Sequence, residues 1–227
     1  MPPNLDPGQY RSWRQTALGQ VTESLEQDLV FRLAGDVTGL RVLDVGCGDG
    51  TYALGAAKRG ALALGLDLSA DMLQAAACRG EEVGLRIPWV RGDAKALPFA
   101  DQSFQIVLAV TLLCFLRNPE RALLEMSRVL TPGGTLILGD LGRWSLWAGW
   151  RRIKGRLGSK TWLGVPFRSA SDLRSMVEAA GLLVLETRGA VHYPPIGWIA
   201  RAARVLDPAL ERSTVGAAFI AIRAQAP

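Results

Sequence analysis

The chain has 227 residues, 49% of them hydrophobic and 21% charged, which leaves room for one sizeable α/β domain and excludes a low-complexity chain. Its formal charge of +5 is mild and fits nucleic acid, anionic lipid or neither. No apolar run approaches the roughly 18–20 residues that a membrane-spanning helix needs. The polar opening MPPNLDPGQY lacks a secretory layout. Cys47, Cys78 and Cys114 have neither metal-ligand spacing nor the pattern of a disulfide framework. A cytoplasmic protein with no metal is the expectation.

In chain order, Val21, Leu25, Leu29 and Leu33 recur at helical spacing over 16–33, with Glu23, Glu26 and Asp28 off that face, and predict an amphipathic helix. LRVLDV is a short apolar strand that runs into Gly46, Gly48 and Gly50. TYALGAAKRG predicts a helix stopped at Gly60, and ALALGLDL a second strand. SADMLQAAACRG predicts a helix capped by Ser69 and ended by Gly80, followed by a third, shorter strand in IPWVRGDA. FQIVLAV is a fourth strand, NPERALLEMSRVL a helix with Pro119 near its start, TPGG a turn and TLILGDL a fifth strand. After the interruption at 141–171 come the helix SASDLRSMVEAAG, the strand LLVLETRG, a short helix in GWIARAARVL and the strand GAAFIAIRA. Continuous apolar strands alternating with helices predict a doubly wound, mostly parallel seven-stranded sheet with helices on both faces. One of the last two strands is expected to pair antiparallel, all within a single domain over 1–227.

The loop GCGDG sits where open α/β sheets bind ligands, beyond the carboxyl end of the first strand. It fails the G-x-G-x-x-G template, because the residue three past Gly48 is Thr51, and no G-K-[ST] follows for a phosphate loop. Asp44, Asp67 and Asp93 fall at or near successive strand ends. Carboxylates converging there repel a pyrophosphate and welcome an ammonium or sulfonium. Asp67 has two oxygens to accept ribose hydroxyls, and Asp93 suits an exocyclic amine. The residues therefore describe a cationic adenosine without phosphates.

VLDVGCGDG, GLDLSADML, GDAKALPFADQSF and LLEMSRVLTPGGTLIL resemble, in order and spacing, the motifs of class I S-adenosylmethionine-dependent methyltransferases. More narrowly they resemble the type-11 subfamily that includes quinone-ring C-methyltransferases and many natural-product methyltransferases. The resemblance covers about Val42 to Asp140. It implies that Asp44, Gly46 and Gly48, with Cys47 inside their loop, hold the methionine moiety and ribose of S-adenosylmethionine, leaving S-adenosylhomocysteine as product. It further implies Asp67 on the ribose hydroxyls, Leu68 beside the adenine, Asp93 and Ala94 at its edge, and Ala109 and Val110 next to the reactive methyl. Many relatives have Asp where this chain has Gln105, and His-His where it has Cys114–Phe115.

Methyl transfer needs alignment, and a base only where the acceptor must lose a proton. His192 in VHYPP and Asp140 at the end of the fifth strand are the candidate catalytic residues. Trp13, Thr111, Phe115 and Tyr193 are candidate acceptor contacts. Tyr10 and Trp13 belong to an N-terminal helical segment, 1–36, expected to cover the cofactor site. Segment 141–171 has no acidic residue, while Arg143, Arg151, Arg152, Lys154, Arg156, Lys160 and Arg168 interleave with Trp144, Trp147, Trp150 and Trp162. It is read as an acceptor lid lined by Trp144 and Trp147. An interfacial helix on anionic membrane, an RNA contact and a plain amphipathic helix are its alternatives, RNA last for want of a recognised module. The functional expectation is methyl transfer to a small apolar or lipid-like acceptor. Its rivals are a quinone or phospholipid methyltransferase peripheral at the inner membrane face, a non-catalytic S-adenosylmethionine-binding module and, remotely, a nucleotide oxidoreductase.

Overall fold

The computed structural model describes residues 7–227; Tyr10 lies on a described helix, but its side chain is outside what is described. Helices α1 (Pro7–Gln15) and α2 (Ala17–Ala34) lead into β1 (Arg41–Val45), α3 (Thr51–Lys58), β2 (Leu62–Asp67), α4 (Ala70–Glu82) and β3 (Trp89–Arg91). Then come β4 (Phe104–Val110), α5 (Pro119–Val129), β5 (Leu130–Leu141), α6 (Leu146–Arg156), α7 (Ala170–Ala179), β6 (Leu183–Ala190), α8 (Gly197–Leu210) and β7 (Phe219–Gln225). The seven strands lie in the order β3-β2-β1-β4-β5-β7-β6. All run parallel except β7, which is antiparallel to both β5 and β6. This is the doubly wound sheet that the strand patterns predict.

Successive side chains of a strand point to opposite faces, so a sheet covered on both sides needs apolar residues at every position. Val42, Ile106, Leu108 and Ile137 pack with residues of α2, α3 and α8. Leu43, Val45, Val107, Leu136 and Leu138 pack with α5 and α7. The strand order reverses between β2 and β4 on either side of β1, which opens a crevice at the carboxyl ends of β1 and β4.

Local departures from the sequence reading have physical causes. The helix expected over 16–33 is α2, which starts after the extended Thr16, whose hydroxyl accepts from Gly19 N, and a further helix, α1, precedes it. Helix α4 runs past Gly80, which is packed inside it: a Cβ there would meet the Leu85 carbonyl oxygen at 2.7 Å. The TPGG residues belong to the first part of β5 rather than to a turn before it. Strand β3 stops at Arg91, so Asp93 lies beyond the strand, in a bridge with Ala96.

Candidate active site

Between β1 and α3 the chain turns at Gly46, Gly48 and Gly50, with φ of 71°, 53° and 82°, a region that side chains with a Cβ rarely enter. The loop is pinned by backbone: Gly46 N and Cys47 N both donate to Leu66 O, at 2.7 and 2.9 Å. Asp67 fastens it from the side, one oxygen accepting from Gly48 N and the other from Ser69 N, each at 2.9 Å. A carboxylate oxygen accepts more than one bond, so Asp67 keeps acceptor capacity for a diol. Helix α3 has Gly50 as its N-cap and no side-chain cap of its own. Asp44 supplies one from β1 by accepting from Ala53 N at 2.9 Å. Burial drives the Asp44 carboxyl up to about 7, against the Ala53 hydrogen bond, with Asp67 and Asp49 adding to the rise. Burial and these carboxylates also push the Cys47 thiol up, away from the thiolate that a nucleophile requires.

Asp67 thus sets the field at the loop, since Asp44 is raised to about 7 and Asp49 is paired with Arg14 and Arg79. That field opposes a pyrophosphate and favours a cation. A Cβ placed on Gly48 would meet nothing within 4 Å, so this backbone is open for close approach by a ligand. The residues fit a cationic adenosine.

A cavity of about 540 Å³ lies against this loop, within the usual range of small-molecule sites. Its floor is Gly46, Cys47, Gly48 and Asp49, with Val110 and Thr111 at the end of β4. Thr111 is a β-branched residue at φ 52°, a strained conformation of the kind that clusters at functional sites. One wall comes from Trp147, Trp150, Arg151 and Lys154 of α6, together with Phe115 and Trp162; the other from Trp13, Leu18 and Glu26. The Arg151 guanidinium lies 5.1 Å from the Trp147 ring and 4.8 Å from the Trp162 ring, cation–π range for both. Trp147 is buried, and its Nε1 has no hydrogen-bond partner among the described residues. An ion-pair cluster ties the rim: Arg14 of α1 reaches Asp49 at 2.6 Å and Glu23 at 2.9 Å, and Arg79 of α4 reaches Asp49 at 3.3 Å.

Of the residues expected from the sequence, Gly46, Cys47, Gly48, Val110, Thr111, Phe115, Trp13 and Trp147 line this cavity. Asp67, Leu68, Asp93, Ala94 and Ala109 are not among its lining residues. Asp67 and Leu68 stand at the end of β2, with Leu68 exposed. Ala94 is buried, and Asp93 accepts from Lys95 N at 3.0 Å. Glu26, Asp49, Trp150, Arg151, Lys154 and Trp162 line the cavity without having been singled out as site residues.

The remaining candidates need correction. Trp144 precedes α6, because Ser145 caps that helix, and it is 73% exposed and off the cavity. Tyr193 is buried, with its hydroxyl 2.9 Å from Thr22 Oγ1. Asp140 is fully buried, accepts from Leu141 N at 2.8 Å and pairs with Arg168 at 3.4 Å. It therefore anchors the end of β5 rather than facing the cavity. His192 has both ring nitrogens occupied, Nδ1 by Asp207 at 3.2 Å and Nε2 by the Ser213 carbonyl at 3.0 Å, and it does not line the cavity. A histidine so engaged has no free nitrogen for an acceptor.

The His192–Asp207 pair has a thermodynamic consequence instead. The hydrogen bond from Asp207 outweighs burial and raises His192 above its usual value of 6.5. Burial alone would raise Asp207, but hydrogen bonds from the His192 ring and backbone and from Val191 N hold it low. The stability carried by His192 is complete below its unfolded pKa and disappears as pH rises through the higher folded value. That carried by Asp207 is present above the ordinary carboxylate range and disappears as pH falls through its lowered value. We expect a loss of about 1–3 kcal/mol on going from pH 6 to pH 9, and a smaller fall over that span in His192→Gln. Urea unfolding at several pH values checks this; parallel slopes in the two proteins would contradict it.

Residues 43–138 match the family model described as a methyltransferase domain. The chain is 40% identical over 108 residues to an uncharacterised protein of Mycobacterium tuberculosis, covering 48% of this chain and 39% of that protein. It is 40% identical over 139 residues to a demethylmenaquinone methyltransferase of Renibacterium salmoninarum, covering 60% of this chain and 50% of the relative. The chain therefore spans about half or less of the length of these relatives. A crystal structure of a SAM-dependent methyltransferase of Thermotoga maritima superposes with a TM-score of 0.73 at 26% identity, covering 97% of this chain and 96% of that one.

Proposed function

Because the chain belongs to the class I S-adenosylmethionine-dependent methyltransferase family, we propose that it transfers a methyl group to a small, apolar acceptor held between the glycine loop and α6. The observation that carries this reading is the single cavity that joins Gly46–Asp49 to a wall of Phe115, Trp147, Trp150 and Trp162. S-adenosylmethionine, when bound, supplies an electrophilic methyl group on a sulfonium. In this reading the loop backbone holds its methionine end, Asp67 its ribose hydroxyls, and Leu68, Asp93 and Ala94 its adenine.

The rest falls to this chain's own groups. Flat aromatic walls sandwich a planar acceptor and exclude water, which strengthens the electrostatics of the loop carboxylates. Trp147 offers an unpaired indole N–H to an oxygen of the acceptor. The Arg14 bridges to Asp49 and Glu23 keep α1, and Trp13 with it, over the rim. The Renibacterium relative, named for demethylmenaquinone, supports an acceptor of low polarity. Among the described residues no helix is long and apolar enough to cross a membrane, so a lipid-like acceptor would be met from the surface.

The test is transfer of isotope-labelled methyl from S-adenosylmethionine into a cell extract, followed by solvent extraction. We expect label in the organic phase. Label confined to the aqueous phase would overturn the apolar acceptor. Binding of S-adenosylhomocysteine with no label in either phase would make the chain a binding module.

A further inference from the structure

We propose that Glu26 is the group that takes the proton from the methyl acceptor, and that the acceptor accordingly carries an ionisable hydroxyl on a flat apolar frame. This rests on the methyl-transfer reading above.

Glu26 lies on α2 in line with Thr22 and Leu29, four residues after one and three before the other, and both of these are buried. A carboxyl on this inward face is costly unless paired or given a task. Among the described residues Glu26 makes no hydrogen bond, and it lines the same cavity as the aromatic residues of α6, near enough for the Arg151 charge to act on it. Asp49, the other carboxylate among the described lining residues, is held by Arg14 and Arg79. Asp140 and His192 are tied up away from the cavity. Glu26 is thus the acid with open acceptor capacity where an acceptor would lie.

Its surroundings suit a base that works near neutrality. Burial raises the Glu26 carboxyl to about 8, Arg151 on α6 opposes the rise and Glu23 on α2 adds to it. Tyr193 also feels the Glu26 charge. A base matched in this way to a phenol or enol takes its proton without being permanently charged. In the step, the acceptor's O–H proton passes to a Glu26 carboxylate oxygen. The electron pair of the acceptor forms the new bond to the methyl carbon, and the pair of the broken carbon–sulfur bond stays on sulfur. Thioethers and tertiary amines have no such proton and make no use of Glu26.

The experiment compares the wild type with Glu26→Gln and Glu26→Asp in three readouts. Calorimetric affinity for S-adenosylhomocysteine should agree within threefold between wild type and Glu26→Gln, because the carboxyl serves the acceptor. The melting temperature of Glu26→Gln should exceed that of the wild type above pH 8 and show no gain at pH 5. A carboxyl with a raised folded value loses stability as pH climbs from its ordinary range to that value, little of it by pH 5, because the unfolded chain ionises first; an amide avoids the loss. Transfer of labelled methyl into the organic phase should rise with pH through about 8 to a plateau above it in the wild type. It should fall at least 100-fold and lose that limb in Glu26→Gln, with partial recovery in Glu26→Asp. A wild type that transfers while Glu26→Gln keeps both its rate and its limb would overturn the role of Glu26 and leave the methyltransferase reading standing. A tenfold loss of S-adenosylhomocysteine affinity in Glu26→Gln would also overturn it, moving Glu26 to the cofactor side. A wild type that binds S-adenosylhomocysteine but transfers nothing takes both readings down.

Discussion

Asp67→Ala is expected to lower the affinity for S-adenosylhomocysteine by roughly 10²–10⁴-fold, the largest effect of any single site substitution. Two contributions make up this loss. Two hydroxyls bonded to an ionised carboxylate are worth about 1.5–3 kcal/mol each, and every 1.4 kcal/mol or so is tenfold in affinity. The same carboxylate accepts from Gly48 N and Ser69 N, so its removal also releases the glycine loop from the end of β2. Asp67→Asn separates the contributions. It preserves shape and one acceptor oxygen but turns the other position into a donor facing an N–H, and should bind more weakly than wild type and more tightly than Asp67→Ala. Calorimetry with S-adenosylhomocysteine measures both, and circular dichroism shows whether the sheet is intact. Equal affinity in all three proteins would remove Asp67 from the site.

The sheet was legible because its physics is repetitive. A strand buried on both faces has to be apolar throughout, and LRVLDV, FQIVLAV and TLILGDL say so without knowledge of their neighbours. Asp44 and Asp67 were legible as members of strand ends, but their partners were not. That Asp44 caps α3 through Ala53 N follows from the loop's curvature, which no spacing rule expresses. Glu26 was missed for a related reason. The apolar arc of α2 is wide, with Thr22, Val30, Phe31 and Ala34 buried as well as Val21, Leu25, Leu29 and Leu33, so helical periodicity could not tell an acid facing a cavity from one facing solvent. His192 looked available because a lone histidine carries no sign of its partner, and Asp207 arrives only when α8 folds back on the end of β6. Trp144 could have been read correctly: Ser145 is a cap residue, and a cap leaves the preceding residue outside the helix.

The outer face of α6 leads to the second large effect, binding to anionic lipid vesicles with a preference of roughly 10³-fold over zwitterionic ones. Leu146, Trp150, Ile153 and Leu157 recur at helical spacing and are all exposed, Leu157 at 82%. Arg152, Lys154, Arg156 and Lys160 are exposed around this stripe. An apolar stripe edged with bases is the layout of a helix lying in the lipid interface. Each base near a negatively charged leaflet contributes about 1 kcal/mol, so four give about 4 kcal/mol, which is the stated preference. The attraction should decline as salt shortens the screening length. Trp150 and Lys154 belong both to this exposed face and to the cavity lining, so docking through α6 would set the mouth of the cavity against the bilayer, where a lipid-like acceptor is concentrated. Co-sedimentation with phosphatidylcholine vesicles, with and without phosphatidylglycerol, measures the preference. The double substitution Ile153→Glu/Leu157→Glu, two exposed positions off the cavity, should abolish binding and leave S-adenosylhomocysteine affinity intact. Wild-type protein that stays in the supernatant at low salt, or that sediments equally with both vesicles, would refute the interfacial role of α6. The acceptor would then have to reach Trp147 and Trp162 from water, which favours a compact phenol over a long-chain lipid.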